Sequence, residues 1–158
     1  MPANIFSITG DEIKSYDEFK SAVRNSNISN VLYLPDAFSS PKGFDKYNNI
    51  TFRAVSFKNT QIERIKFIDC IFIDCIFLNT IFAKCEFSGC KFEGCNFLSS
   101  SWNETRINPK TLAANFDYKN DANIAANLFQ SLFEQYRKEH QPTYAQQSKY
   151  YLDRKSVV

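Results

Sequence analysis

Residues 65–97 read IKFIDCIFIDCIFLNTIFAKCEFSGCKFEGCNF, and two positions in this stretch recur every five residues. One position holds Phe67, Phe72, Phe77, Phe82, Phe87, Phe92 and Phe97; the other, two residues earlier, holds Ile65, Cys70, Cys75, Thr80, Cys85, Cys90 and Cys95. The phase extends both ways. Upstream it takes in Phe52, Phe57 and Ile62, preceded by Ile50, Val55 and Thr60, and downstream Trp102 and Ile107, preceded by Ser100 and Thr105. Residues 48–107 therefore form twelve consecutive units, and every Phe of that segment and all five cysteines of the chain fall in these two columns. Regularity of this kind marks an internal repeat, in which each unit buries its apolar face by stacking on its neighbours.

A period of five fits neither an α-helix nor a long strand. Residues two apart on a strand point to the same side, so each unit can send one small and one large side chain inward. The other three residues face out or turn a corner, which yields a coil of short strands bonded to the coils above and below. FIDCIFIDCIF and KCEFSGCKFEGCNF resemble the pentapeptide-repeat family, which centres each unit on Leu or Phe with a small residue two before it. The resemblance implies a mainly β fold, a right-handed quadrilateral β-helix with four units per turn, hence about three turns here. A turn of twenty residues places Thr60, Thr80 and Ser100 in one hydroxyl column, Cys70 on Cys90 and Cys75 on Cys95, with Ile65, Cys85 and Thr105 in a mixed column. The Phe positions, Trp102 and the five cysteines are the expected core.

At 158 residues and 44% hydrophobic content one compact body is expected. Residues 1–47 read as a capping segment: a strand (NIFSIT, 4–9), a helix (SYDEFKSAVRN, 15–25) and a strand (NVLYLP, 30–35). An open coil end exposes unpaired backbone and an aromatic layer, so a solenoid needs an atypical terminal unit. The repeat stops at Asn108 and Pro109, and residues 108–158 read as a helical hairpin. Asp121 is placed to cap a helix running to Glu139, with Ile124, Leu128, Leu132 and Tyr136 on one stripe beside Ala125 and Phe129. Pro142 opens a shorter helix with Tyr144, Ser148, Tyr151 and Leu152 on a face. This hairpin is similar to one that follows pentapeptide stretches in some bacterial proteins; membrane segments come next in some of them, so the resemblance leaves room for a longer chain.

The charge pattern bears on partners. The net charge is +2, and residues 48–107 carry seven basic and six acidic side chains. No basic stripe marks a nucleic-acid binder. A near-neutral rod is also a poor copy of a duplex with one negative charge per about 1.7 Å, which argues against the gyrase-binding DNA mimicry that the family resemblance raises. No apolar run approaches the roughly 18 residues that span a bilayer, the start MPANIFSITGDEIKS lacks a secretory pattern, and five cysteines without CxxC suit a reducing compartment. The expected location is cytoplasmic, with no membrane contact for this chain.

Inward cysteines behave as small hydrophobes with suppressed reactivity. The columns bring thiols together only two at a time, and the single histidine, His140, is remote in sequence, so no tetrahedral metal site or cofactor is expected. No GxSxG or GxGxxG occurs, and Gly89 and Gly94 fall at repeat corners, so catalysis is not expected. Among outward positions, Lys66, Glu86 and Arg106 alternate in sign as a solubilising ladder. Ile68, Ile71, Ile73, Ile76, Leu78 and Ile81, with Leu98 below Leu78, form an aliphatic belt. Three covers suit such a belt: the C-terminal helices of the same chain, another protein or a second copy, or a membrane. The functional expectation is a non-catalytic scaffold that docks an unidentified protein on flat faces, with a homodimer as another use of the belt. Side chains fixed in columns about 4.8 Å apart lose little entropy on binding and enclose no deep cleft.

Overall fold

A computed structural model describes residues 5–154; the first residues of the N-terminal capping segment and the last of the hairpin segment lie outside the described residues. Every fifth residue from Asn49 to Glu104 has a positive φ, between +49° and +66°. These are the corners. Each follows the large inward side chain by two positions, and Asn, Asp and Gly, which tolerate the left-handed region best, hold most of them. At Gly89 the requirement is doubled, because a Cβ there would meet Asp69 Oδ1 of the coil above at 2.2 Å.

The strands in chain order are β1 (Asp11–Ile13), β2 (Asn27–Tyr33), β3 (Ala37–Phe38), β4 (Asp45–Asn48), β5 (Thr51–Ser56), β6 (Gln61–Glu63), β7 (Ile65–Ile68), β8 (Ile71–Ile73), β9 (Ile81–Ala83), β10 (Glu86–Ser88), β11 (Lys91–Glu93) and β12 (Ser101–Asn103). The helices are α1 (Tyr16–Ala22), α2 (Pro109–Ala113), α3 (Ala122–Lys138) and α4 (Pro142–Asp153). The named strands pair in parallel, and within the repeat the register advances by twenty residues: Phe52, Phe72 and Phe92 align on a first face, Ile62, Phe82 and Trp102 on a third, and Phe67 and Phe87 on a fourth. The second face, that of Phe57, Phe77 and Phe97, is joined by single bridges through Ser56, Ile76 and Asn96.

Inside, rings stack within a column and meet edge-on between columns. Phe52–Phe72 and Phe72–Phe92 lie 4.7 and 4.8 Å apart and nearly parallel, while Phe67 meets Phe72 at 76°. Both arrangements suit the ring quadrupole. The small column has its own chemistry: the thiols of Cys70, Cys75, Cys85, Cys90 and Cys95 each donate to the carbonyl twenty-three residues earlier at 3.2–3.4 Å, and the Thr80 hydroxyl does so to Phe57 at 2.8 Å. Small side chains carrying an inward donor fit this place because a carbonyl of the coil above faces them.

The solenoid is longer than the three turns expected. Ile28 and Phe38 pair over Phe52 and Ile62, Tyr47 over Phe67, and Ile13 over Tyr33. Residues 27–48 are therefore a further coil, and β1 starts another, giving about five levels. The expected strand at 4–9 is not formed: Asn4 lies outside the described residues, and the strand begins at Asp11. Ser15 Oγ caps α1 through Glu18 N–H at 3.0 Å. This helix plugs the top with Phe19, which is fully buried among Tyr33, Phe38, Tyr47, Phe52 and Phe57.

The lower end closes differently. A thirteenth corner would fall on Pro109, whose ring holds φ near −65° and forbids it; Pro109 instead opens α2, an element not foreseen, capped by Asn108. Asn115 then stands one turn below Cys95, where its amide replaces a peptide unit, accepting from Cys95 N–H at 2.7 Å and donating to Cys95 C=O at 2.9 Å. The buried stripe of α3, Leu128, Leu132 and Tyr136 with Ala125 and Phe129, joins the same apolar core. Its polar side chains finish the last coil: Ser131 Oγ donates to Ser100 C=O, Asn127 and Glu139 accept from Ser99 and Glu104 N–H, and Tyr136 OH donates to Thr105 C=O. Asp121 does occupy the N-cap position of α3, but its carboxylate accepts from Asp117 N–H behind it rather than from the helix.

Candidate interaction surface

Four faces a quarter-turn apart distribute the aliphatic belt around the rod. Ile71 and Ile73 are on the first face, Ile76, Leu78 and Leu98 on the second, Ile81 on the third and Ile68 on the fourth, as their neighbours in register require. The belt is thus not one docking surface, because consecutive units point in different directions. Nor do the C-terminal helices cover it, since α3 closes the end of the coil.

The second face is covered by the chain itself. Residues 5–8 run along it from Asn96, whose Nδ2 donates to Ile5 C=O at 2.8 Å, to Ser56, which shares a small groove with Phe6, Ser7 and Ile8. Ile76 lies between Ser56 and Asn96 and is 1% exposed, so it is withdrawn from any interface. Gly10 carries this strap over the top edge, where a Cβ would strike Asn30 C=O at 2.2 Å.

The first face is open. Ile71 is 37% exposed and Ile73 half-buried. With Phe92 and Cys90 they line a groove of about 720 Å³, edged by Lys91 and Glu93 on the coil and by Asn108, Lys110, Thr111 and Ala114 at α2. Ile81 on the third face is exposed, and Ile68, Leu78 and Leu98 are half-buried.

The nine Phe of the repeat, Trp102 and all five cysteines are buried, and the cysteines are free thiols. Burial pushes the Cys85 thiol up to about 11 and the Cys95 thiol well above its ordinary value. Cys90 is raised by the neighbouring Cys70 thiol of its column and then by burial. His140 is exposed at the α3–α4 turn with a φ of +58°. Among the described residues no three His, Cys, Asp or Glu side chains converge as a metal site, and no helix is long and apolar enough to cross a membrane. The most developed polar network is structural. Tyr47 OH donates to Tyr16 OH, Tyr16 OH to Asp45, and Lys20 pairs with Asp45 at 2.8 Å, tying α1 to β4.

With every fifth residue a corner, four units to a turn and the central ring buried in each, the comparison with known families is unambiguous: residues 60–97 match Pentapeptide repeats in eight copies. The chain carries pentapeptide repeats. No curated protein and no solved structure matches it significantly. Pentapeptide-repeat solenoids are commonly non-catalytic, and the matched segment contains all five cysteines and the groove-floor residues Ile71, Ile73, Cys90 and Phe92.

Proposed function

We propose that this pentapeptide-repeat protein is a non-catalytic scaffold that docks another protein along the first face of its rod. One observation carries the reading: the groove beside α2 presents aliphatic side chains, Ile71 and Ile73, on a hydrogen-bonded ladder with charged residues at its rim. A face held by its own backbone ladder is already ordered, so binding forfeits little conformational entropy. The apolar floor supplies contact area, and Lys91, Glu93 and Lys110 supply the orienting rim. The covered second face and the capped ends support the choice of this face.

The test is a photo-crosslinking amino acid at Lys91, with a second protein carrying it at Lys66 on the fourth face, each expressed in the cell of origin. One discrete adduct from Lys91, absent from Lys66 and abolished by Ile71→Asp, is the expected result. Ile71 points outward, so that substitution should change stability by no more than about 0.5 kcal/mol. No discrete adduct from Lys91, or the same adduct from both positions, refutes the reading.

A further inference from the structure

Cys70 and Cys90 stand in register on successive coils, next to the aligned pairs Ile71–Lys91 and Phe72–Phe92. Cys70 Sγ donates to Tyr47 C=O at 3.2 Å and Cys90 Sγ to Phe67 C=O at 3.2 Å, the same relative acceptor in each case. The two side chains therefore share one rotamer, and the vector between their sulfurs is the coil-to-coil translation, about 4.8 Å. That spacing is far from the S–S bond of about 2.05 Å, which the ladder could reach only by closing. Two thiols also fall short of the four ligands of a structural zinc site. A linear dithiolate is different. Tetrahedral zinc–thiolate bonds are about 2.3 Å and a two-coordinate ion binds closer, so two such bonds on opposite sides of one ion put the sulfurs a little over about 4 Å apart, a short closure from the column spacing, and thiolates select Cu(I) among biological ions.

We propose that Cys70 and Cys90 form a two-coordinate site for a soft closed-shell cation, with Cu(I) the biological candidate. Binding forms two S–metal bonds, releases the two thiol protons to solvent and transfers no electron, so affinity falls as pH falls. Access distinguishes this pair from the second thiol column. Cys90 is 7% exposed and lines the open groove, whereas Cys95 is fully buried and bonded through its backbone to Asn115. Cys85 is an internal control, since Ile65 and Thr105 occupy its column above and below and offer no second thiolate.

The experiment titrates the reduced full chain, without oxygen, with Cu(I) supplied as its bicinchoninate complex. One ion per chain should leave the chelator, and X-ray absorption should show two sulfur neighbours and no nitrogen. Cys70→Thr and Cys90→Thr should each weaken capture by more than the about 10–100-fold that loss of an outer-shell partner costs, while Cys85→Thr leaves it unchanged. Threonine suits the test because Thr80 already fills this place, bonded to Phe57 C=O at 2.8 Å. If either variant melts differently from the parent, serine at the same position replaces it. No capture from the chelator, three or four sulfur neighbours, capture within tenfold of the parent in the Cys70 and Cys90 variants, or a loss that follows Cys75→Thr instead would each overturn the proposal.

Discussion

Phe77→Ala removes the middle ring of the second-face column. The ring is 1% exposed and lies 5.5 Å from Phe57 and 5.0 Å from Phe97, within 9° of parallel to both. It also meets Phe72 and Phe82 at 5.8 and 5.5 Å across the coil. Burying and then deleting a Phe costs about 3–5 kcal/mol, the spread reflecting how far the site collapses. Collapse is restricted here because Phe77 N–H is bonded to Asn96 C=O of the coil below at 2.7 Å and Ile76 C=O accepts from Phe57 N–H of the coil above at 2.8 Å. The loss should therefore fall at about 4–5 kcal/mol, a large share of the roughly 5–15 kcal/mol that holds a domain together. Urea unfolding followed by fluorescence of Trp102, the single tryptophan, which stacks on Phe82 at 4.2 Å, reads it directly. At a slope of about 2 kcal/mol/M the midpoint falls by about 2 M. Phe87→Ala is the comparison: Phe87 is 8% exposed and has a stacked ring above it, Phe67, but only Ile107 below. It should cost about 1 kcal/mol less, the worth of one aromatic pair. A loss under about 1 kcal/mol at Phe77, or a larger loss at Phe87, would refute the assignment of the inner column.

Asn115→Ala strands both backbone groups of Cys95 in a buried place and should cost about 2–3 kcal/mol in the same unfolding assay; Asn115→Asp, which keeps only the acceptor, should fall between. Gly89→Ala forces a left-handed alanine against Asp69 and should cost about 1–2 kcal/mol, with Asp69→Ala in the double mutant returning part of it; no rescue would mean that the collision is not the cause. Asp45 gives a pH dependence. Burial pushes its carboxyl up, but hydrogen bonds from Lys20 and Tyr16 outweigh burial and hold it below the usual range. A folded-state pKa below the unfolded value near 3.9 means that the contribution is present above about pH 4 and is lost as pH falls through the folded value. Thermal melts of the parent and of Asp45→Asn should differ at pH 6 and draw together as the pH falls below about 4; a gap that does not change with pH would contradict this.

The columns were readable because a solenoid writes its core at one fixed period, and the inner ring, the inner donor and the corner all repeat on it. The upper coil was hidden by one insertion. Ile28, Tyr33 and Phe38 keep the spacing of five, but the next centre is Tyr47, nine residues on, because Pro41 to Phe44 add four residues around Gly43 with its φ of +104°. A single phase reaches back to Tyr47, one centre above the twelve units, and is broken there by the insertion, although the ladder continues above it. Helix α2 was hidden for a different reason, since five residues are too few to show an apolar period, and only Pro109 and the Asn108 cap mark it.

Outward positions carry less information than inward ones, and the aliphatic belt shows why. Inward side chains all point to one axis, so their spacing along the chain is enough to place them together. Outward side chains diverge by a quarter-turn per unit, and neighbours in sequence such as Ile71, Ile76 and Ile81 end on three faces. What covers each face is then set by contacts remote in sequence. Asn96 holds Ile5 across ninety-one residues, and that bond lays the strap over Ile76. No local pattern in either segment announces it: Asn96 occupies an outward place in the unit KFEGCNF, and Ile5 sits in a stretch whose alternation suggests a strand. Once the strap takes the second face, Ile71 and Ile73 remain on the side where α2 raises a wall, and the open apolar groove follows from that pairing rather than from the number of aliphatic residues in the belt.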